Sequence, residues 1–83
     1  MRRRIERAKR YPTSARLQHL EGVVSLSFSI EPDGQVRALA LVHSSGSDVL
    51  DQEALATVKR AAPLPYYANP IRISLRFYLE ENE

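Results

Sequence analysis

Apolar and polar residues alternate strictly near the front of the chain. Val24, Leu26, Phe28 and Ile30 are separated by Ser25, Ser27 and Ser29. A period of two buries one face and wets the other, so Val23 to Ile30 is predicted as a strand. The same pattern returns at the end. Ile71, Ile73, Leu75, Phe77 and Leu79 alternate with Arg72, Ser74, Arg76 and Tyr78. Val36 to Val42 is a further strand whose facing is ambiguous. Leu39 and Leu41 suit a core, but Ala38, Ala40 and Val42 make its other side apolar too. Pro32-Asp33-Gly34 joins the first two strands into a hairpin. Proline presets its backbone angle there, and glycine accepts a positive one without a clash.

Helical spacing fills the gaps. Arg2 to Arg10 reads as a short helix with Ile5 and Ala8 on one face, ended by Tyr11-Pro12. A further turn is expected from Thr13, with Ala15, Leu17 and Leu20 as its apolar positions, before Glu21-Gly22 breaks the pattern. After the loop Ser44-Ser45-Gly46-Ser47, the stripe Ala54, Leu55, Val58 and Ala62 predicts a longer helix that packs on the sheet. Ser47 or Asp48 can cap it. Asp48, Asp51 and Glu53 near its start and Lys59 and Arg60 near its end complement its dipole. Pro63-Leu64-Pro65 stops it.

The order helix, hairpin, helix, strand predicts an α+β fold. The first strand has the cleanest one-sided pattern and belongs in the middle. The last strand pairs antiparallel to it, reached by the long helix as a right-handed crossover. The expected sheet has three strands of antiparallel type in the order second, first, third, with two helices packed on one face. The third strand, Ile71 to Leu79, lies at an edge. The whole chain, 1–83, is one domain. Residues 1–10 form a basic helix or tether, 11–79 the core and 80–83 a frayed tail.

Composition narrows the chemistry. A chain of 83 residues has too thin a core to wall a deep active site. The absence of cysteine excludes a disulfide scaffold and a thiolate metal site. No apolar run approaches the roughly 20 residues needed to cross a bilayer. The basic start lacks the apolar stretch of a signal peptide. If the domain works outside the cytoplasm, the exporting segment is expected upstream of Met1. His19 and His43 have no neighbour at metal-motif spacing. Ser44-Ser45-Gly46 before a helix can hold an anion but lacks the lysine of a phosphate loop. No serine lies in a nucleophile elbow. Neither an enzyme nor a bound cofactor or metal is expected. Residues 1–16 carry seven of the twelve Lys and Arg side chains, opposed only by Glu6. Such a cluster can meet phosphate, anionic lipid or an acidic partner, or simply form a solvated face.

The remaining candidate is the edge strand. Its unpaired amides and carbonyls invite a partner strand, with Arg72 and Arg76 either blunting that edge or setting register on it. The pattern alone leaves both readings open.

From Tyr11-Pro12 to the end, the chain resembles the C-terminal domain of the TonB family. Tyr11-Pro12, Ala15 and Glu21-Gly22 are similar to its opening motif. Val24-x-Leu26-x-Phe28-x-Ile30 resembles its first strand, and Asp33-Gly34-x-Val36 its hairpin turn. Ser44-Ser45-Gly46, Leu50-Asp51-x-x-Ala54-Leu55 and Pro63-x-Pro65 resemble its helix entry and exit. The resemblance implies the periplasmic domain of an inner-membrane protein, driven by a proton-motive (ExbB/ExbD-like) complex through a segment upstream. It implies capture of the TonB box of outer-membrane transporters for iron chelates, haem or cobalamin. The implied partner-binding residues are Arg10, Tyr11 and Pro12, with Ile71, Arg72, Ile73, Ser74, Leu75, Arg76, Phe77, Tyr78 and Leu79. One departure is visible: Ala8, Lys9 and Arg10 stand where well-studied members carry glutamines and a proline.

Two further readings follow. A TonB-like paralogue or TolA-like envelope scaffold would serve another protein client. The element order and basic N-terminus also loosely resemble a KH-type RNA module. With three glycines, Gly22, Gly34 and Gly46, and no GXXG loop, nucleic acid is not expected as a partner. Exposed edges on a short chain favour strand exchange, which would give a homodimer.

Overall fold

The serine-alternating segment forms the middle strand of the sheet. In the computed structural model, which describes residues 2–79, the elements run α1 (Arg2–Ala8), α2 (Thr13–Leu17), β1 (Gly22–Ile30), β2 (Val36–His43), α3 (Asp48–Ala61) and β3 (Ile71–Phe77). The sheet order is β2-β1-β3, with β1 antiparallel to both neighbours. The expected frayed tail, residues 80–83, lies outside the described residues.

One face of the sheet is dry. Val24, Leu26, Phe28 and Ile30 of β1 and Ile73, Leu75 and Phe77 of β3 are buried. Leu50, Ala54 and Val58 of α3 cover them, with Leu64 from the loop beyond. Each of the larger side chains contributes about 1.5–3 kcal/mol on leaving water. Among the described residues, the opposite face, lined by Ser25, Ser27 and Ser29 with Arg72, Ser74 and Arg76, carries no helix.

The basic N-terminus is α1, and it packs on α3. Ile5 is buried with the core. Arg60 of α3 donates to the Ala8 carbonyl through Nε at 3.2 Å and Nη2 at 2.9 Å. A cation on the last carbonyls of a helix also offsets its dipole. Arg4 Nη1 reaches the Pro63 carbonyl at 2.8 Å. The five-residue α2 is a separate third helix. It ends on His19, whose φ is 55°. The Leu20 amide bonds the Ala15 carbonyl at 2.8 Å, and the His19 amide bonds the Arg16 carbonyl at 3.2 Å. This paired closure satisfies the last carbonyls before Glu21-Gly22 is reached.

The second strand forms as expected, and its ambiguous facing has a structural cause, whereas the length of the third is corrected. The pairing of β2 with β1 shifts between Ser25 and Leu26 and again between Ser27 and Ser29. Ala38 sits within the second shift at φ 58°, which bends the strand. Leu39 stays half-buried, but Leu41 and Val42 are each 43% exposed. β3 is shorter than Ile71 to Leu79. Its last residue, Phe77, pairs with Gly22, where β1 begins.

Asp51 is buried on α3. Burial alone would raise its pKa. The Ser44 hydroxyl, the Ser45 amide at 2.9 Å and the Ser45 hydroxyl at 2.8 Å all donate to its carboxylate and hold it below the usual range. The serine loop thus binds an anion supplied by its own chain. Helix-dipole pairing alone would leave Asp51 in solvent. A folded-state pKa below the unfolded one means the stabilisation is complete at neutral pH. It is lost as pH falls from the ordinary carboxylate range through the lowered value. Asp51→Asn is expected to cost about 1–2 kcal/mol at pH 7, from weaker bonds to an uncharged acceptor. In acid the difference from the parent should shrink, as urea denaturation at pH 7 and pH 3 would measure.

Candidate functional site

Hydrogen-bond direction on β3 follows from the hairpin. The Glu31 amide donates to the Gln35 carbonyl at 2.8 Å, so Glu31 faces β2. Antiparallel residues alternate between facing one neighbour and the other. Ser29, Ser27, Ser25 and Val23 therefore also direct their backbone groups to β2, and Phe28, Leu26, Val24 and Gly22 direct theirs to β3. On β3, Ile71, Ile73, Leu75 and Phe77 bond back to β1. Arg72, Ser74 and Arg76 point their N–H and C=O groups away from the sheet, along its outer rim. β3 has no register shift over its seven residues.

The side chains divide the same way. Ile73, Leu75 and Phe77 are buried, and Ile71 is half-buried beside them. Arg72, Ser74 and Arg76 are exposed on the uncovered face. Ser74 Oγ lies 2.9 Å from Ser25 Oγ, and the Arg76 guanidinium sits 5.3 Å from the centre of the Tyr78 ring. The Leu79 amide donates to Glu21 Oε2 at 2.9 Å, just past the strand. At the other end of β3, Pro65, Tyr66, Tyr67, Pro70 and Ile71 line an apolar cleft of about 360 Å³.

Of Arg10, Tyr11 and Pro12, the structure brings one to β3. The Tyr11 ring meets Phe77 edge-on, centroids 5.8 Å apart. Its hydroxyl donates to the Leu20 carbonyl. Burial, with the nearby Glu21 carboxylate, raises the pKa of that hydroxyl, and Arg16 opposes the shift. The phenol is thus held as a neutral donor. Pro12 turns instead toward α3, lining a shallow depression with Asp48, Val49, Gln52, Glu53 and Ala56. Arg10 is exposed. Its neighbour Lys9 makes the contact that sequence reasoning missed. Lys9 Nζ donates to the Arg76 carbonyl at 2.7 Å and lies 5.5 Å from the centre of the Phe77 ring. One outward carbonyl of β3 is therefore already occupied. Nothing in the spacing distinguishes Lys9 from Arg10 for this role. Among the described residues, no cluster of His, Cys, Asp or Glu could hold a metal ion, and no helix is long and apolar enough to cross a membrane.

Residues 7–79 match the family model for the Gram-negative bacterial TonB protein C-terminal region. The chain belongs to the TonB C-terminal family. It is 41% identical over 64 residues to Protein TonB of Pasteurella multocida, covering 77% of this chain and 25% of that protein. The solution structure of the Helicobacter pylori TonB C-terminal domain superposes with a TM-score of 0.81 at 32% identity, covering 94% of this chain and 76% of that one. The HasB C-terminal domain superposes at 0.57 with 38% identity, over 92% and 64% of the two chains. The chain thus spans about a quarter of its full-length Pasteurella relative. The alternating strands, the hairpin turn and the Tyr11-Pro12 motif that suggested TonB all lie inside the matched region.

Proposed function

We propose that this chain is the periplasmic domain of an inner-membrane-anchored TonB-type protein, and that it captures the TonB box of outer-membrane transporters on the edge of β3. Family membership supports that setting. A proton-motive complex would drive the protein through a segment upstream, for uptake of iron chelates, haem or cobalamin. The carrying observation is the contrast between the two sheet edges. β3 offers an unbroken register with the outward backbone of Arg72 and Ser74 open to a partner and the Arg76 carbonyl held by Lys9, whereas β2 is bent by two register shifts.

Three outward residues give an added strand up to about six main-chain bonds, each worth roughly 0.5–1.5 kcal/mol net. Ordering the peptide offsets much of this, so capture is reversible and near micromolar. Pulling along the strand loads these bonds together, which lets a weak complex carry force. A ligand that pairs as far as Arg76 displaces Lys9 from the carbonyl there.

Ser74→Pro separates docking from folding. The Ser74 N–H faces outward, and proline is tolerated on a strand edge in that position. The variant is expected to keep its circular dichroism spectrum and lose most of its affinity for TonB-box peptides. In the parent, an NMR titration should shift amides within residues 71–77. Unchanged affinity in the folded variant contradicts docking at this edge. The second reading, a paralogue serving another envelope protein, is favoured by the Ala8-Lys9-Arg10 departure, which puts a lysine on the docking rim. A panel of peptides from several envelope proteins tells the two apart.

A further inference from the structure

Resting on strand addition at β3, we infer that the strand taken up here carries two acidic side chains four residues apart, with a small polar residue midway. Side chains of an added strand stand beside those of β3 on the same face. On the uncovered face the sequence it meets is Arg72, Ser74, Arg76. Both arginines are exposed, and neither forms an ion pair among the described residues. Arg76 is braced against the Tyr78 ring, which limits the side-chain entropy lost on pairing. Arg72 has no hydrogen bond among the described residues.

No acidic residue of the sheet opposes them. Their partners across β1 are Ser27 and Val23. Glu21, just before β1, is engaged by the Leu79 amide. Among the described residues, the face therefore presents two positive charges without an ion pair, flanking Ser74, itself in contact with Ser25. A neighbouring strand with acids at both arginines answers both charges, whereas basic residues there repel. The pattern reads the same in either direction, so it holds for parallel or antiparallel addition. Charges on an edge also discourage aggregation, but that role is indifferent to the sign of the charge.

The experiment uses labelled nine-residue peptides of alternating pattern, read by fluorescence anisotropy and by amide shifts on β3. One carries aspartates four apart with serine between, one asparagines in their place, one lysines. A fourth has the aspartates moved by one residue to the other face. The acidic peptide should bind roughly 5- to 20-fold tighter than the neutral one in dilute buffer. The gain should shrink in high salt and vanish in the shifted peptide. The double variant Arg72→Glu/Arg76→Glu remains charged along its edge, and its preference should invert toward the lysine peptide. Equal binding of acidic and neutral peptides, with shifts on β3, overturns the acidic pattern and leaves strand addition standing. Failure of every peptide to shift β3 removes both.

Discussion

Phe77→Ala is expected to lower the stability of this domain by about 3–5 kcal/mol, the range for emptying a large aromatic site in a core. Phe77 is fully buried at the last pair of the sheet, opposite Gly22. Its ring supports Tyr11 edge-on and Lys9 from above. The substitution therefore leaves a cavity and also frees the segment joining α1 to α2. A domain of this size holds only about 5–10 kcal/mol in total. The melting temperature should fall on the order of 20 °C, a drop that thermal unfolding followed by circular dichroism would register. A loss below about 1 kcal/mol would mean that the site collapses around the gap, contrary to the packing described.

Gly34→Ala should cost about 2–4 kcal/mol, because two penalties act on one methyl group. Gly34 has a φ of 91°, where a side chain strains the backbone. An added Cβ would also stand 2.7 Å from Pro63 Cβ and 3.0 Å from the Leu64 carbonyl oxygen. The neighbours cannot easily withdraw, because the Leu64 amide bonds the Gly34 carbonyl at 2.8 Å and Leu64 is buried in the core. Chemical denaturation of the variant measures the cost. An effect near that of an ordinary turn glycine, roughly 1 kcal/mol, would place the penalty in the backbone alone. The turn was legible as Pro32-Asp33-Gly34. Its burial beneath the loop after α3 was not, since nothing in a turn motif says what will rest on it.

Where one face of a strand is wholly buried, alternation is a faithful record of the fold. Residues 23–30 and 71–77 could therefore be read directly. β2 lies at an edge with only Val36 and Leu39 partly covered, so burial left a weak imprint. The left-handed bend at Ala38 uses a residue type that gives no warning of it. The last strand was overread by two residues. Tyr78 and Leu79 preserve the alternation, but the ladder with β1 ends at the Gly22–Phe77 pair. Asp51 has the composition of a helix start, and only the folded chain shows its carboxylate clamping Ser44 and Ser45. At the candidate site, Arg72 and Arg76 were singled out from the pattern, and Ser74 came only with the family resemblance. Lys9 was passed over in favour of Arg10, because which of two adjacent cations reaches β3 depends on how α1 is rotated against α3.

The Lys9 and Tyr11 contacts also have a mechanical consequence. They place the point where the chain leaves α1 at the same corner of the molecule where β3 finishes. Under the proposed function, tension from upstream enters through α1, which α3 holds through Ile5 and the Arg60 bonds to the Ala8 carbonyl. Tension on a strand held at β3 enters through a strand that β1 grips along its whole length. The two loads would meet at one corner of the sheet, each borne by an element anchored in the core.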